Sequence, residues 1–66
     1  MRIRLNGDAR EVAADVRVAD LVALLTPDHA GCAVAINDEV VPRHEWGTRS
    51  VDEGDHVEVL TAVQGG

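Results

Sequence analysis

The hydrophobic period of this chain changes twice, and that switch restricts it to a mixture of strands and a helix. Met1, Ile3 and Leu5 alternate with Arg2 and Arg4, the period of a half-buried strand. Asn6-Gly7 follows, a strong short hairpin signal because both residues tolerate positive φ. A second strand is expected over about residues 9–13, with Arg10 and Val12 on one face. At "VADLVALL" the period lengthens. Val18, Leu21, Val22 and Leu25 fall at i, i+3, i+4 and i+7 and line one face of a short helix. Asp20 suits its first turn through the helix dipole. Arg17 stands where Ser or Thr would make a better cap. Thr26-Pro27-Asp28 is expected to end the helix, since a residue before proline avoids helical geometry.

Period two then returns. "CAVAI" predicts a strand over Cys32–Ile36, Asn37-Asp38 a turn, and Glu39–Val41 a short return strand. Pro42 is placed to open a helical turn through "RHEW". "DEGD" at 52–55 reads as a turn, with Gly54 supplying its conformation. "HVEVLT" predicts a last alternating strand over His56–Thr61. The order β-β-α-β-β-turn-β is an α+β pattern, a mixed sheet of four to five strands with one helix across one face.

With 66 residues there is room for one small domain and no cleft between domains. Apolar residues make up 45% of the chain, enough for a packed core, and Trp46 is the one aromatic residue. The core must therefore be Val, Leu, Ile and Ala, with Trp46 expected as a lid. The formal net charge of −6 argues against nucleic acid and against an anionic membrane surface. It suits a partner with a basic docking surface. All six cationic side chains are arginine. Schiff-base lysine chemistry and a phosphate-binding P-loop lysine are thereby excluded. A lone Cys32 and an opening "MRIRLNG" without a long apolar run lead us to expect a cytoplasmic location.

Catalytic and metal readings are weak. His29 and Cys32 have ligand-like spacing, but a structural zinc site wants four ligands. No Ser-His-Asp or Cys-His arrangement stands out. The carboxylates read as solvated surface. Neither a catalytic residue, nor a metal, nor a cofactor bound by this chain is expected.

The sheet faces and the last residues say more. Ile3, Val34, Ile36, Val57 and Val59 have the parity and bulk to meet the helix. The opposite parity carries Arg2, Arg4, Ala33, Ala35, Glu58, Leu60 and Ala62. If the first and last strands are neighbours, the arginines are expected to meet Glu58. The rest would be a flat apolar area around Leu60, read as a docking surface against the blander reading of scattered apolar residues. Beyond it the sequence runs "AVQGG". A domain over residues 1–61 with a flexible tail at 62–66 is expected. About five extended residues reach roughly 16 Å. Gly65 and Gly66, without Cβ atoms, suit a backbone that threads a narrow channel. A carboxylate is a poor electrophile; as an acyl-adenylate it becomes one that sulfur can attack. A frayed terminus of no consequence is the plainer alternative.

The stretches "AINDEVVPRHEW" and "VDEGDHVEVLTAVQGG" resemble the ThiS-type sulfur-carrier proteins of thiamine biosynthesis, in length and element order as well. The resemblance implies a ubiquitin-like β-grasp fold. It implies a ubiquitin-activating-like adenylyltransferase that uses ATP and Mg²⁺ to adenylate Gly66. It further implies a thiocarboxylate made with sulfur from a cysteine desulfurase or another donor, and thiazole synthase as acceptor. Gly65 and Gly66 carry over as the threading residues. Leu60, Ala62 and Val63 carry over as partner contacts, beside Ala33 and Ala35 from the face argument. The chain departs from the pattern at Arg17, a poor cap, and at Leu60, where a larger aromatic would offer more area. The alternatives are a sister carrier serving molybdopterin, cysteine or tRNA thiolation, and a protein-interaction module without tail chemistry. A monomer is expected when free.

Overall fold

The computed structural model describes residues 1–25 and 31–61. The expected helix stop at Thr26-Pro27-Asp28, His29, and the tail residues Ala62, Val63, Gly65 and Gly66 lie outside them. Among the described residues, five strands form one sheet in the order β2-β1-β5-β3-β4. They are β1 (Arg2–Leu5), β2 (Asp8–Glu11), β3 (Cys32–Ile36), β4 (Glu39–Val41) and β5 (His56–Thr61), with helix α1 (Val18–Leu25) between β2 and β3. The sheet is mixed: β1 and β5 run parallel, and the other pairs are antiparallel.

Both hairpins turn through two residues of positive φ. Asn6 and Gly7 lie at 52° and 88°, Asn37 and Asp38 at 51° and 71°. This backbone twist matches that of the flanking strands. The tight first turn pairs Leu5 with Asp8, so β2 begins one residue earlier than expected and ends at Glu11 rather than near 13. Val12 lies past the strand, partly buried against the core, and its N–H donates to the Met1 carbonyl (2.8 Å). The "DEGD" turn is as expected. Gly54 takes φ 85° and donates its N–H to the Arg2 carbonyl at 2.8 Å.

The core is aliphatic. Ile3, Leu5, Val34, Ile36, Val57 and Val59 line the covered face of the sheet and meet Val18, Leu21 and Val22 of the helix. Leu25, expected on that face, is 39% exposed at the last described position of α1. Val16, Val41, Val51 and Trp46 close the edges. Trp46 is 5% exposed, and its indole N–H donates to the Val41 carbonyl (3.0 Å). The pairing matters because a buried donor left without an acceptor costs about 1–3 kcal/mol. Arg43 lies over the ring, 5.2 Å from its centroid. Pro42 precedes a short 3-10 turn, Arg43–Glu45, that carries Trp46 inward.

The helix start shows how the weak cap is made good. The backbone N–H of Arg17 donates to the Asp20 carboxylate (2.9 Å), half of a capping box. The N–H groups of Val18 and Ala19 donate to the carbonyls of Arg49 and Trp46, both at 3.0 Å. A distant segment thus satisfies two of the first-turn N–H groups, which have no partner within the helix.

Candidate functional site

The uncovered face of the sheet and the end of β5 form the candidate site. Strand pleating puts alternate side chains on opposite faces, so the residues between the core positions emerge together. On β5 these are His56, Glu58 and Leu60, all exposed. Register sets Leu60 beside Ala33 and Glu58 beside Ala35, and Ala35 beside Val40 of β4. The result is an apolar area made of Leu60, Ala33, Ala35 and Val40. Leu60 is 66% exposed and Val40 72%. Two large aliphatic side chains this open on one face make it the candidate for a contact surface.

Leu60, Ala33 and Ala35 therefore come together as expected. Val40 completes the group and was not foreseen. Its signal was present: Val41 faces the core, so Val40 must face away. In a strand of three residues that alternation is too short to be read with force.

The expected meeting of Arg2 and Arg4 with Glu58 does not occur. Arg2 pairs with Glu11 on the other neighbouring strand (3.3 Å), and Arg4 donates to the Gly7 carbonyl (2.9 Å). Although β1 does lie beside β5, Arg4 is level with His56 rather than Glu58. Both partners of the arginines belong to the first hairpin. A shallow concavity of about 350 Å³ lies at that end, lined by Arg2, Arg4, Glu53, His56 and neighbours. No serine, threonine or cysteine lines it, and it lies at the opposite end of β5 from Thr61. Cys32, partly buried, is level with Thr61. Among the described residues no group of three His, Cys, Asp or Glu is placed to hold a metal ion, and no helix is long and apolar enough to cross a membrane.

Two side chains hold β5 in place. Asn37 accepts from the His56 N–H (3.0 Å) and donates to Asp55 (3.1 Å), gripping the start of the strand. Asn6 works further along. Its backbone N–H donates to Val57, and its carboxamide then accepts from the Val59 N–H (2.8 Å) and donates to the Val59 carbonyl (3.3 Å). The side chain extends the β1–β5 ladder one step after the backbone has turned away. Beyond Val59, the register partners of Leu60 and Thr61 lie on β3.

A mixed five-stranded sheet with its last strand central, grasping one α-helix among the described residues, defines a ubiquitin-like β-grasp protein. The ThiS family model matches residues 3–66. The sulfur carrier protein ThiS of Escherichia coli K12 is 36% identical over 66 residues, the whole of both chains. A crystal structure of the thiamine biosynthesis protein ThiS from Geobacter metallireducens superposes with a TM-score of 0.80 at 32% identity, covering both chains fully. A solution structure of a thiamine biosynthesis protein from the same organism gives 0.81, covering 88% of that chain. A thiazole synthase from Paramagnetospirillum magneticum is 32% identical over 66 residues; this chain spans 20% of its length. The chain belongs to the ThiS family.

Proposed function

We propose that this chain is a sulfur carrier for the thiazole moiety of thiamine and that its working group is the carboxylate of Gly66. The observation that carries the reading is the end-to-end likeness to the E. coli sulfur carrier protein. The domain of residues 1–61 serves as a handle, and residues 62–66 as the arm that enters a partner's active site. The chain carries the group and its partners do the catalysis.

In the first step a ubiquitin-activating-like adenylyltransferase binds ATP and Mg²⁺. A Gly66 carboxylate oxygen attacks the α-phosphate, and pyrophosphate leaves. A persulfide supplied by a cysteine desulfurase then attacks the acyl carbon, and AMP leaves. A thiol next reduces the S–S bond and departs as a disulfide. A sulfide-level donor gives the same product without a reductant. The resulting thiocarboxylate is a sulfur nucleophile, which thiazole synthase accepts. The similarity of this chain to one fifth of a thiazole synthase supports that partner, because there a carrier-like segment and a synthase share one polypeptide. Leu60, Val40, Ala33 and Ala35 supply the apolar contact, continued by Ala62 and Val63. The acidic balance suits basic surroundings on the partners. The setting is cytoplasmic, and the free chain is a monomer without a cofactor of its own.

Intact mass tests the reading. After incubation with ATP, Mg²⁺, the adenylyltransferase and a sulfur source, the chain is expected to gain the increment of sulfur replacing oxygen. A variant lacking Gly66 is expected to keep its folded spectrum and gain nothing. An unchanged mass for the intact chain with active partners, or loading of the shortened one, overturns the proposal.

A further inference from the structure

The two hairpin turns are built alike. Asn6 and Asn37 both hold positive φ, and both reach β5 with their carboxamides. They differ in the next residue, Gly7 in one case and Asp38 in the other. That difference is chemical. An asparagine side chain loses its amide when the next residue's backbone nitrogen attacks Cγ, and a glycine at that position leaves the nitrogen unshielded. A Cβ placed on Gly7 would meet nothing within 4 Å, so that side of Gly7 is open; Arg4 reaches the turn at the Gly7 carbonyl (2.9 Å).

We propose that Asn6-Gly7 is a deamidation site whose reaction is restrained by the two hydrogen bonds between the Asn6 carboxamide and Val59, and whose product loosens β5. In the reaction the Gly7 nitrogen gives up its proton to solvent base and bonds to Cγ. The Cγ–Nδ2 bond breaks and ammonia leaves. Water then opens the cyclic imide at either carbonyl, giving aspartate or isoaspartate. No oxidant or reductant takes part.

In the folded chain the carboxamide is engaged with Val59 at 2.8 and 3.3 Å. It must leave both bonds before closing on its own backbone, so the reaction runs through a locally opened turn. Aspartate still accepts from the Val59 N–H, but it sets an anionic oxygen against the Val59 carbonyl where a donor had been. Isoaspartate lengthens the backbone of a two-residue turn and breaks its register. Either product weakens β5 one residue before Leu60, at the last point where the first hairpin holds it. This inference stands apart from the sulfur-carrier reading.

Peptide mapping of the full chain aged in warm, mildly alkaline buffer, with and without urea, tests it. Aspartate and isoaspartate are expected at Asn6, with Asn37 far slower, and the reaction is expected to run roughly tenfold or more faster in urea. Equal reaction at Asn37, or none at Asn6 in urea, overturns the site. Equal rates with and without urea overturn the restraint. For the consequence, Asn6→Asp is expected to raise hydrogen exchange at the Val59 amide roughly tenfold. Unchanged exchange overturns it. Should that variant fail to fold, exchange at Val59 is compared before and after ageing of the wild-type chain, with the same two outcomes.

Discussion

The two faces of the sheet come from the same strands and have opposite duties. Toward the helix, Ile3, Leu5, Val34, Ile36, Val57 and Val59 are buried and β-branched in all but one case. Toward solvent, one residue along each strand, stand Arg4, Ala33, Ala35, Leu60 and Val40. The covered face has bulk and fixed shape, as a core with few aromatics requires. The open face carries His56, Glu58 and Leu60 on the central strand, with Ala33, Ala35 and Val40 beside them toward one edge. Its apolar part lies around Leu60, Ala33, Ala35 and Val40, which suits contact with another protein more than it suits stability. Substitutions on the two faces are therefore expected to separate folding from recognition.

The largest effect is expected on the covered face. Ile36→Ala removes a fully buried side chain and should cost about 2–5 kcal/mol, a large share of what so small a domain has. Denaturant unfolding reads it, and a loss under about 1 kcal/mol would mean the site collapses around the gap. On the open face, Leu60→Asp should weaken binding to the adenylyltransferase by about 1–3 kcal/mol. It should change stability by less than about 1 kcal/mol. Titration calorimetry beside an unfolding curve decides, and unchanged affinity removes the open face from recognition. The smallest effect is expected at Asp20→Ala, which deletes the acceptor for the Arg17 N–H and should cost about 0.5–1 kcal/mol of stability. Partner affinity should stay put; a matching fall in affinity would couple the helix start to the open face and blur the division.

Much of the architecture was legible because its signals are local. The start of α1 and the bounds of β3, β4 and β5 follow from side-chain period and from the turn residues Asn37-Asp38 and Gly54. The buried position of Trp46 follows from its being the one large ring in an otherwise aliphatic chain. The candidate site was legible in part, through the parity of Leu60, Ala33 and Ala35. Val40 was missed because a three-residue strand barely alternates. The partners of Arg2 and Arg4 were misread because strand adjacency does not specify which residues stand level. The carboxamide bonds of Asn6 and Asn37 to β5 had no sequence signal beyond the turn propensity of asparagine.

The sequence by itself determined which residues form strands and helix, where the turns fall, and which side chains share a face. Those properties depend on pleating, helical period and backbone φ, each set within a few residues. Tertiary structure alone decided that β5 lies between β1 and β3, and that Arg49 and Trp46 carbonyls cap the helix. It also decided that Val40 joins Leu60 on one surface. These depend on segments far apart in the chain, brought together by burial of a shared core, and no local pattern encodes which neighbour each will find.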